Sequence, residues 1–181
     1  WRVPKSLLEK YIPAGMELDM IDNTAWVSLV TFEVKNMKLR NLPAFPGISN
    51  FHEINLRTYV IKDGIPGVYF FSIETDKFRE VLLTRIFTAL PYQKSQITRT
   101  WQCLQSDNKQ SDSHFTMLDR SKASAIEKSD LDLWLTERHS LYKNFNEETY
   151  RFDIHHKEWN LREPKAEIID INYKAGKYTP T

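Results

Sequence analysis

Two β-prone runs joined by a tight-turn signal constrain the fold of this chain more than any other feature. His52 to Ile61 and Gly67 to Ile73 are rich in β-branched and aromatic residues, and Asp63-Gly64 lies between them. An Asp-Gly pair in this position is typical of a β-hairpin, because both residue types tolerate positive φ. The sequence therefore predicts an antiparallel hairpin near the middle of the chain.

The first of these strands carries polar side chains at every second position: Glu53, Asn55, Arg57 and Tyr59. Successive side chains of a strand point to opposite faces, so these four share one face. That face is either an ordinary solvated one or the wall of a pocket, and the presence of Asn, a poor strand former, favours the pocket. Glu53 and Arg57 are about 13 Å apart along a strand, so each needs another partner if buried.

Similar patterns predict further strands and short helices. Strands are expected at 25–34, 94–104, 113–118, 139–145, 149–156 and 167–173. Short helices are expected over 4–11, over 75–90 with Arg85 in the apolar stripe, and from Ser129, where Asp132 has capping-box spacing. Many strands with two or three short helices predict an α+β fold dominated by a predominantly antiparallel, curved β-sheet or β-barrel.

Size and composition limit the classes of function. The 181 residues, without a linker, predict a single domain over 1–181. A formal charge of +1, with basic and acidic residues interspersed, gives no field that would recruit nucleic acid or acidic lipid. No run approaches the roughly 18 apolar residues of a membrane span, and the single Cys103 fits a reducing compartment. We therefore expect a cytoplasmic protein with no nucleic-acid or membrane partner, and we leave its oligomeric state open.

Few residues carry the signature of a known catalytic or metal site. His155 and His156 are adjacent on a predicted strand and would face opposite sides, so they are not expected to bind one metal ion together. Cys103 is expected to be a small buried side chain and no nucleophile. Neither a GxSxG motif nor a phosphate-binding glycine loop is present. We predict no metal and no cofactor.

The chain resembles the YqjF-like uncharacterised family of bacterial proteins. The motifs that carry this resemblance cover nearly the whole sequence: Leu-Pro-Ala-Phe-Pro-Gly at 42–47, Phe-His-Glu-Ile-Asn-Leu-Arg-Thr-Tyr-Val at 51–60, Gly-Ile-Pro-Gly-Val-Tyr-Phe-Phe-Ser-Ile at 64–73, Arg85, Leu-Pro-Tyr at 90–92, Leu-Thr-Glu-Arg-His-Ser-Leu-Tyr at 135–142 and Ile-His-His-Lys-Glu-Trp at 154–159. The resemblance implies relatives that start before Trp1 and continue past Thr181, so terminal strands are expected to be missing.

This family is similar to a branch of the acetoacetate decarboxylase-like superfamily. That similarity implies a cone-shaped antiparallel barrel with a polar cavity, in which Glu53 corresponds to a cavity-facing glutamate. In the decarboxylases a lysine that follows a proline forms a Schiff base. Here Tyr92 and Gln93 follow Pro91, and the nearest lysine is Lys94. Because a one-residue displacement in a strand reverses the face, Schiff-base chemistry is not expected.

Three hypotheses on function follow. In the first, the barrel binds a small polar or anionic molecule without turnover, through Asn55, Tyr59, Arg85 and Tyr92. In the second, it is an enzyme of the lyase or hydrolase type acting on a small carbonyl or carboxylate compound, with Glu53 as acid or base and Arg57 as an anion clamp. In the third, it is a structural or interaction protein whose polar face is a satisfied network.

Overall fold

The computed structural model describes residues 1–35, 50–77, 89–119, 125–161 and 166–172. The loop predicted at 41–47 and most of the helix predicted over 75–90, including Arg85, lie outside the described residues. None of the helices in the described part of the chain is both long and apolar enough to cross a membrane.

Most of the described residues are in β-strands. The strands are β1 Arg2–Val3, β2 Glu17–Leu18, β3 Ala25–Val34, β4 Phe51–Lys62, β5 Ile65–Thr75, β6 Tyr92–Lys94, β7 Gln96–Arg99, β8 Cys103–Asn108, β9 Ser113–Asp119, β10 Ser140–Phe145, β11 Glu148–Asp153 and β12 Ala166–Asn172. The described helices are α1 Lys5–Leu8, a 3₁₀ helix Glu9–Tyr11 and α2 Asp130–Thr136. This mostly β composition with short helices confirms the coarse fold prediction.

The strands form two sheets in the part of the chain that is described. In the larger sheet the order is β1-β3-β4-β5-β10-β11, with β2 beside β4 and β6 beside β5. In the smaller sheet the order is β12-β9-β8-β7. The pairs β1–β3, β2–β4, β10–β11, β7–β8 and β8–β9 are antiparallel, whereas β5 runs parallel to both β6 and β10. The larger sheet is therefore mixed, and β7, β8 and β9 of the smaller sheet are antiparallel neighbours.

The central hairpin forms as predicted. Strands β4 and β5 are neighbours in the sheet, and the turn between them has Asp63 at φ 52° and Gly64 at φ 76°. Both values are in the left-handed region that Asp and Gly tolerate best. Helix α2 also begins as predicted, because the Ser129 side chain accepts from the backbone N–H of Asp132 while the Asp132 carboxylate accepts from the backbone N–H of Ser129.

Backbone contacts divide the chain into two compact units. The first unit comprises Trp1–Ser28, Arg57–Phe70 and Asp119–Glu167. Its core includes Leu8, Val27, Tyr59, Val68 and a cluster of Met16, Val60 and Tyr142.

The second unit comprises the described residues within 29–56, 71–118 and 168–172. Its core is formed by large apolar side chains from β4, β5, β8 and β9: Phe51, Ile54, Leu56, Ile73, Leu104 and Phe115. Strands β3, β4 and β5 each run from one unit into the other. The polar side chains of β4 are thereby shared between the two units.

Two strand predictions need correction. The strand predicted over 94–104 is interrupted, because the backbone turns at Thr100, whose N–H donates to the Cys103 carbonyl (2.8 Å) and whose hydroxyl oxygen accepts from the Cys103 N–H (3.0 Å). The strand predicted over 149–156 ends at Asp153. His155 and His156 therefore follow the strand instead of alternating along it.

Candidate functional site

The polar face of β4 is buried. Glu53, Asn55, Arg57 and Tyr59 retain 5%, 1%, 7% and 0% of their accessible surface. A solvated strand face is excluded, so each polar atom needs a partner inside the protein or on a ligand. Glu53 and Asn55 belong to the second unit, whereas Arg57 and Tyr59 belong to the first.

In the second unit, Glu53, Asn55 and Tyr92 form what we call the carboxylate cluster. The Tyr92 hydroxyl donates to Glu53 Oε2 at 2.8 Å, and Asn55 Nδ2 donates to Glu53 Oε1 at 3.1 Å. Strand β6 supplies Tyr92 by pairing with β5 in parallel, with Tyr92 opposite Ile73. Tyr92 and Asn55, two of the predicted binding residues, are thus hydrogen-bonded to Glu53, the predicted acid or base.

Tyr92 stays protonated in this cluster. Burial, followed by the charge of Glu53 and the hydrogen bond to it, raises the pKa of Tyr92 well above its ordinary value of 10.0. A phenol held in this way is a fixed donor to the carboxylate. The Asn55 side-chain oxygen is buried and has no hydrogen-bond partner among the described residues, so that part of the cluster offers one open acceptor.

Lys94, the lysine nearest to the decarboxylase position, is exposed at the end of β6. A Schiff-base lysine needs a depressed pKa, which desolvation or a neighbouring cation provides. The exposed position of Lys94 provides no desolvation.

In the first unit, the Arg57 guanidinium lies beside two aromatic rings. Its Nη2 donates to the backbone carbonyl of Leu135 at 2.9 Å, and its Cζ is 5.7 Å from the centre of the Tyr59 ring and 5.6 Å from that of Trp159. Its Nε is buried and has no acceptor. No carboxylate lies within ion-pairing distance of Arg57 in the described part of the chain.

A second buried arginine, Arg138, also contacts the Tyr59 ring. Its Cζ is 5.3 Å from the centre of the Tyr59 ring and 4.4 Å from that of Trp134. Unlike Arg57 it has an acid partner, since Nη1 is 2.6 Å from Asp19 Oδ2 and Nε donates to the Trp134 carbonyl at 2.7 Å. Its Nη2 is buried and unpartnered.

We call this set of residues the arginine cluster: Asp19, Arg57, Tyr59, Trp134, Arg138 and Trp159. It holds two guanidinium groups and one carboxylate, so it carries an excess positive charge at a buried position. A carboxylate ligand is the natural complement of such a guanidinium, because charge and hydrogen-bond geometry match.

Sequence reasoning missed most of this cluster. No sequence pattern singled out Arg138 as a buried residue, yet it retains only 7% of its accessible surface. Its partner Asp19 is 119 residues away in sequence, and no local pattern joins the two. The Leu135-to-Tyr142 motif was the available signal, since it includes Arg138.

Sequence reasoning also missed a second buried carboxylate, Glu74 on β5, which is 1% exposed. Ser106 Oγ donates to Glu74 Oε2 at 2.8 Å, and Asn108 Nδ2 donates to Oε1 at 2.9 Å. Asn108 Nδ2 also contacts Gln93 Oε1 at 2.9 Å, while Ser95 and Ser106 share a hydrogen bond of 2.7 Å. Neutral donors satisfy both oxygens of Glu74. The sequence pattern that could have indicated this network is the placement of Ser106 and Asn108 two residues apart, and so on one face, along β8.

Comparison with known proteins gives both a family and a fold. The sequence model of the DUF2071 family, described as "Uncharacterized conserved protein", matches residues 1–180. The "Uncharacterized protein YqjF" of Bacillus subtilis (strain 168) is 38% identical over 175 residues, which cover 93% of this chain and 72% of the relative. The family resemblance inferred from the sequence motifs is thereby confirmed.

Two solved structures are similar to this chain. One, from structural studies of acetoacetate decarboxylase, is 14% identical with a TM-score of 0.51 and covers 96% of this chain and 86% of its own. The other, the acetoacetate decarboxylase of Legionella pneumophila, is 17% identical with a TM-score of 0.49, and the match covers 78% of this chain and 52% of that one. The chain thus spans about half of the Legionella enzyme. The first of these similarities assigns the acetoacetate decarboxylase-like fold.

Proposed function

The chain belongs to the DUF2071 family, and we propose that it binds a small organic anion, held by the guanidinium of Arg57, without forming a Schiff base. The observation that carries this proposal is a buried guanidinium whose Nε has no acceptor and which has no carboxylate partner among the described residues. Burial of an unpaired charge is costly, and a bound carboxylate would remove that cost.

The surroundings of Arg57 support a ligand with a carboxylate and a small apolar or carbonyl-bearing body. A guanidinium has five N–H groups, and Arg57 gives one hydrogen bond, to Leu135. The guanidinium contacts the Tyr59 and Trp159 rings and is buried, and burial strengthens its interaction with an anion. The ligand is expected to place its carboxylate on the free N–H groups.

The proposal includes three features predicted from the sequence. We propose that the strands close into the cone-shaped barrel implied by the decarboxylase-like resemblance, that the polar face of β4 lines its cavity, and that the protein acts in the cytoplasm. Arg85 remains a predicted binding residue, because it lies outside the described residues. The roles of Asn55, Tyr59 and Tyr92 in binding also remain predictions.

A thermal-shift screen tests the proposal. The full chain is mixed with small mono- and dicarboxylates and keto acids, and we expect at least one to raise the melting temperature in a concentration-dependent way. Arg57→Met should lose this response. Arg99→Met is the matched control: Arg99 is exposed on β7 and lies outside both clusters, so its response should equal that of the wild type.

Two outcomes of the screen would contradict the proposal. The first is a wild type that no carboxylate or keto acid stabilises at millimolar concentration. The second is an Arg57→Met variant that responds like the wild type. Titration calorimetry on any compound that stabilises the protein gives the stoichiometry, which should be one per chain.

A second candidate function is enzymatic, and the carboxylate cluster favours it. A buried carboxylate 2.8 Å from a phenol can accept or deliver a proton, as a lyase or hydrolase acting on a small carbonyl compound requires. The similar solved structures are acetoacetate decarboxylases, so β-keto acids are the first substrates to test. Turnover by the wild type that is lost in Glu53→Gln would establish this function.

The chemistry of any turnover can be tested separately. Borohydride reduction in the presence of a β-keto acid traps an imine as a stable adduct. We expect the intact mass of the protein to be unchanged after this treatment, because Lys94 is exposed. An adduct on Lys94 would overturn the non-covalent part of the proposal.

A further inference from the structure

In the first unit, three side chains with metal-ligating atoms meet beyond the C-terminal end of α2. Glu137 is the C-cap residue of α2, His139 directly precedes β10, and His156 follows β11. One ligand atom from each lies within 4.8 Å of those of the other two. The backbone N–H of Ile154 donates to the His139 carbonyl at 2.8 Å and so holds the two segments together.

The nitrogen atoms of His156 have an unusual environment. Nδ1 is 2.9 Å from the Lys157 carbonyl oxygen, and Nε2 is 3.3 Å from the Arg138 carbonyl oxygen. A neutral imidazole donates from only one nitrogen, and we assign its proton to Nδ1 because that contact is the shorter one. The Nε2 lone pair then faces a carbonyl oxygen, and this arrangement becomes favourable when a cation lies beside both.

The contact of Nδ1 matches the usual support of a metal-binding histidine. Such a histidine donates its second ring N–H to a carboxylate or a backbone carbonyl, which fixes the tautomer and the ring orientation. His156 has this support from the Lys157 carbonyl. Its ring also stacks on that of His139, with ring centres 4.8 Å apart and planes inclined by 22°.

Glu137 already binds a cation with one of its oxygens. Its Oε1 accepts from Lys128 Nζ at 3.1 Å, from the Thr136 hydroxyl at 3.1 Å and from the Trp159 backbone N–H at 3.4 Å. The Lys128 side chain is 10% exposed and also reaches Glu158 at 2.8 Å. Oε2 of Glu137 receives no hydrogen bond from the described residues and is available to a metal ion.

We propose that Glu137, His139 and His156 bind one divalent transition-metal ion of the Zn²⁺ class. Two imidazole nitrogens and one carboxylate oxygen are a common set of zinc ligands, which leaves a fourth position for water or a ligand. With metal–ligand distances near 2.1 Å, tetrahedral ligand atoms are about 3.4 Å apart, so the three groups must close from their present separation. His139 is exposed, so its ring can shift from its stacked position on His156 to bring a nitrogen toward the other two ligands.

Zinc titration of the metal-free full chain tests this site. We expect one equivalent to bind by calorimetry, and Co²⁺ to give the visible absorption of a tetrahedral N/O site. His139→Gln and His156→Gln should each weaken binding by about tenfold or more. His155→Gln is the matched control, because His155 is an adjacent exposed histidine outside the group. It should bind like the wild type.

Lys128→Met adds a test that does not remove a ligand. This change takes away the ammonium that competes for Glu137, so zinc affinity should increase. Circular dichroism and melting temperatures of the metal-free variants show whether each one is folded. The proposal is overturned if the wild type binds no Zn²⁺ or Co²⁺ saturably, or if His155→Gln weakens binding as much as His156→Gln.

Discussion

The two halves of the polar face of β4 satisfy their buried charges in different ways. In the second unit, Glu53 accepts hydrogen bonds from the neutral donors Tyr92 and Asn55. In the first unit, Arg57 lies beside two aromatic rings and gives, among the described residues, a single hydrogen bond to a backbone carbonyl. The Glu53 half therefore provides donors to a carboxylate. The Arg57 half contains guanidinium N–H groups that have no acceptor among the described residues.

This difference distinguishes buried polar groups whose partners are supplied by the fold from those that need a partner from outside it, such as a ligand. Buried polar groups in proteins are nearly always hydrogen-bonded, and the exceptions need an explanation. Glu74, with both oxygens satisfied by Ser106 and Asn108, is explained by the fold alone. Arg57 is not, and neither is the unpartnered Nη2 of Arg138. Among the described residues, the charged donors that are buried and unsatisfied, Arg57 Nε and Arg138 Nη2, are both in the arginine cluster, so anion binding is expected there.

Arg138→Met should have the largest effect on stability. It leaves the buried Asp19 carboxylate without its cation, since Nη1 of Arg138 is 2.6 Å from Asp19 Oδ2 and both side chains are nearly inaccessible. Removing one partner of a buried ion pair costs about 3–5 kcal/mol. Urea unfolding should show this loss in the free energy of unfolding.

The surface pair of Arg151 and Asp153 is the control for this effect. Its two atoms are 3.2 Å apart, but the side chains are 42% and 61% exposed. Exposed pairs contribute less than about 1 kcal/mol, so Arg151→Met should change stability little. Equal losses in the two variants would show that Arg138 is not the buried structural cation described above.

Tyr92→Phe is expected to have an intermediate effect. The variant loses the donor to Glu53 Oε2 but keeps the ring in place, and leaving a buried charged acceptor unsatisfied costs about 1–3 kcal/mol. Tyr150→Phe is the matched control, because Tyr150 donates to Glu148 at 2.7 Å on the surface. The control should lose less free energy of unfolding than Tyr92→Phe.

The same phenol predicts a pH dependence. Burial and Glu53 raise the pKa of Tyr92 in the folded protein above 10.0, so the folded state holds this proton more tightly than the unfolded chain. The resulting stabilisation is complete below the unfolded pKa and is lost as the pH rises from about 10 through the folded pKa. The stability of Tyr92→Phe should fall less over this range than that of the wild type. Parallel curves would contradict the buried Tyr92–Glu53 hydrogen bond.

Features set by neighbouring residues were predictable from the sequence. The Asp63-Gly64 turn and the Ser129–Asp132 capping box depend on two to four consecutive residues, and both formed as expected. The alternation of Glu53, Asn55, Arg57 and Tyr59 was also correct, because the side-chain period of a strand is a property of its backbone.

Features set by distant residues were not predictable. The carbonyl that Arg57 contacts is 78 residues away, and the acid that pairs with Arg138 is 119 residues away. The end of β11 at Asp153 was also not predicted, because the β-prone sequence continues to His156. Because the strand was predicted to continue to His156, His155 and His156 were assigned to opposite faces of the sheet. The contact between His156 and His139 was therefore not predicted.

Arg57→Met should have the smallest effect on stability, and this makes it the sharpest test of the comparison. In the variant, the Leu135 carbonyl keeps the hydrogen bond from the Tyr59 hydroxyl at 3.1 Å. Methionine fills similar space beside the rings and removes the buried charge that has no acidic partner among the described residues. Replacing an unpaired buried charge by an apolar side chain is often neutral or stabilising, so the free energy of unfolding should stay within about 1 kcal/mol of the wild type or rise. Urea unfolding without ligand measures this. A loss as large as that of Arg138→Met would show that Arg57, like Arg138, is a structural cation, and the distinction between the two arginines would fail.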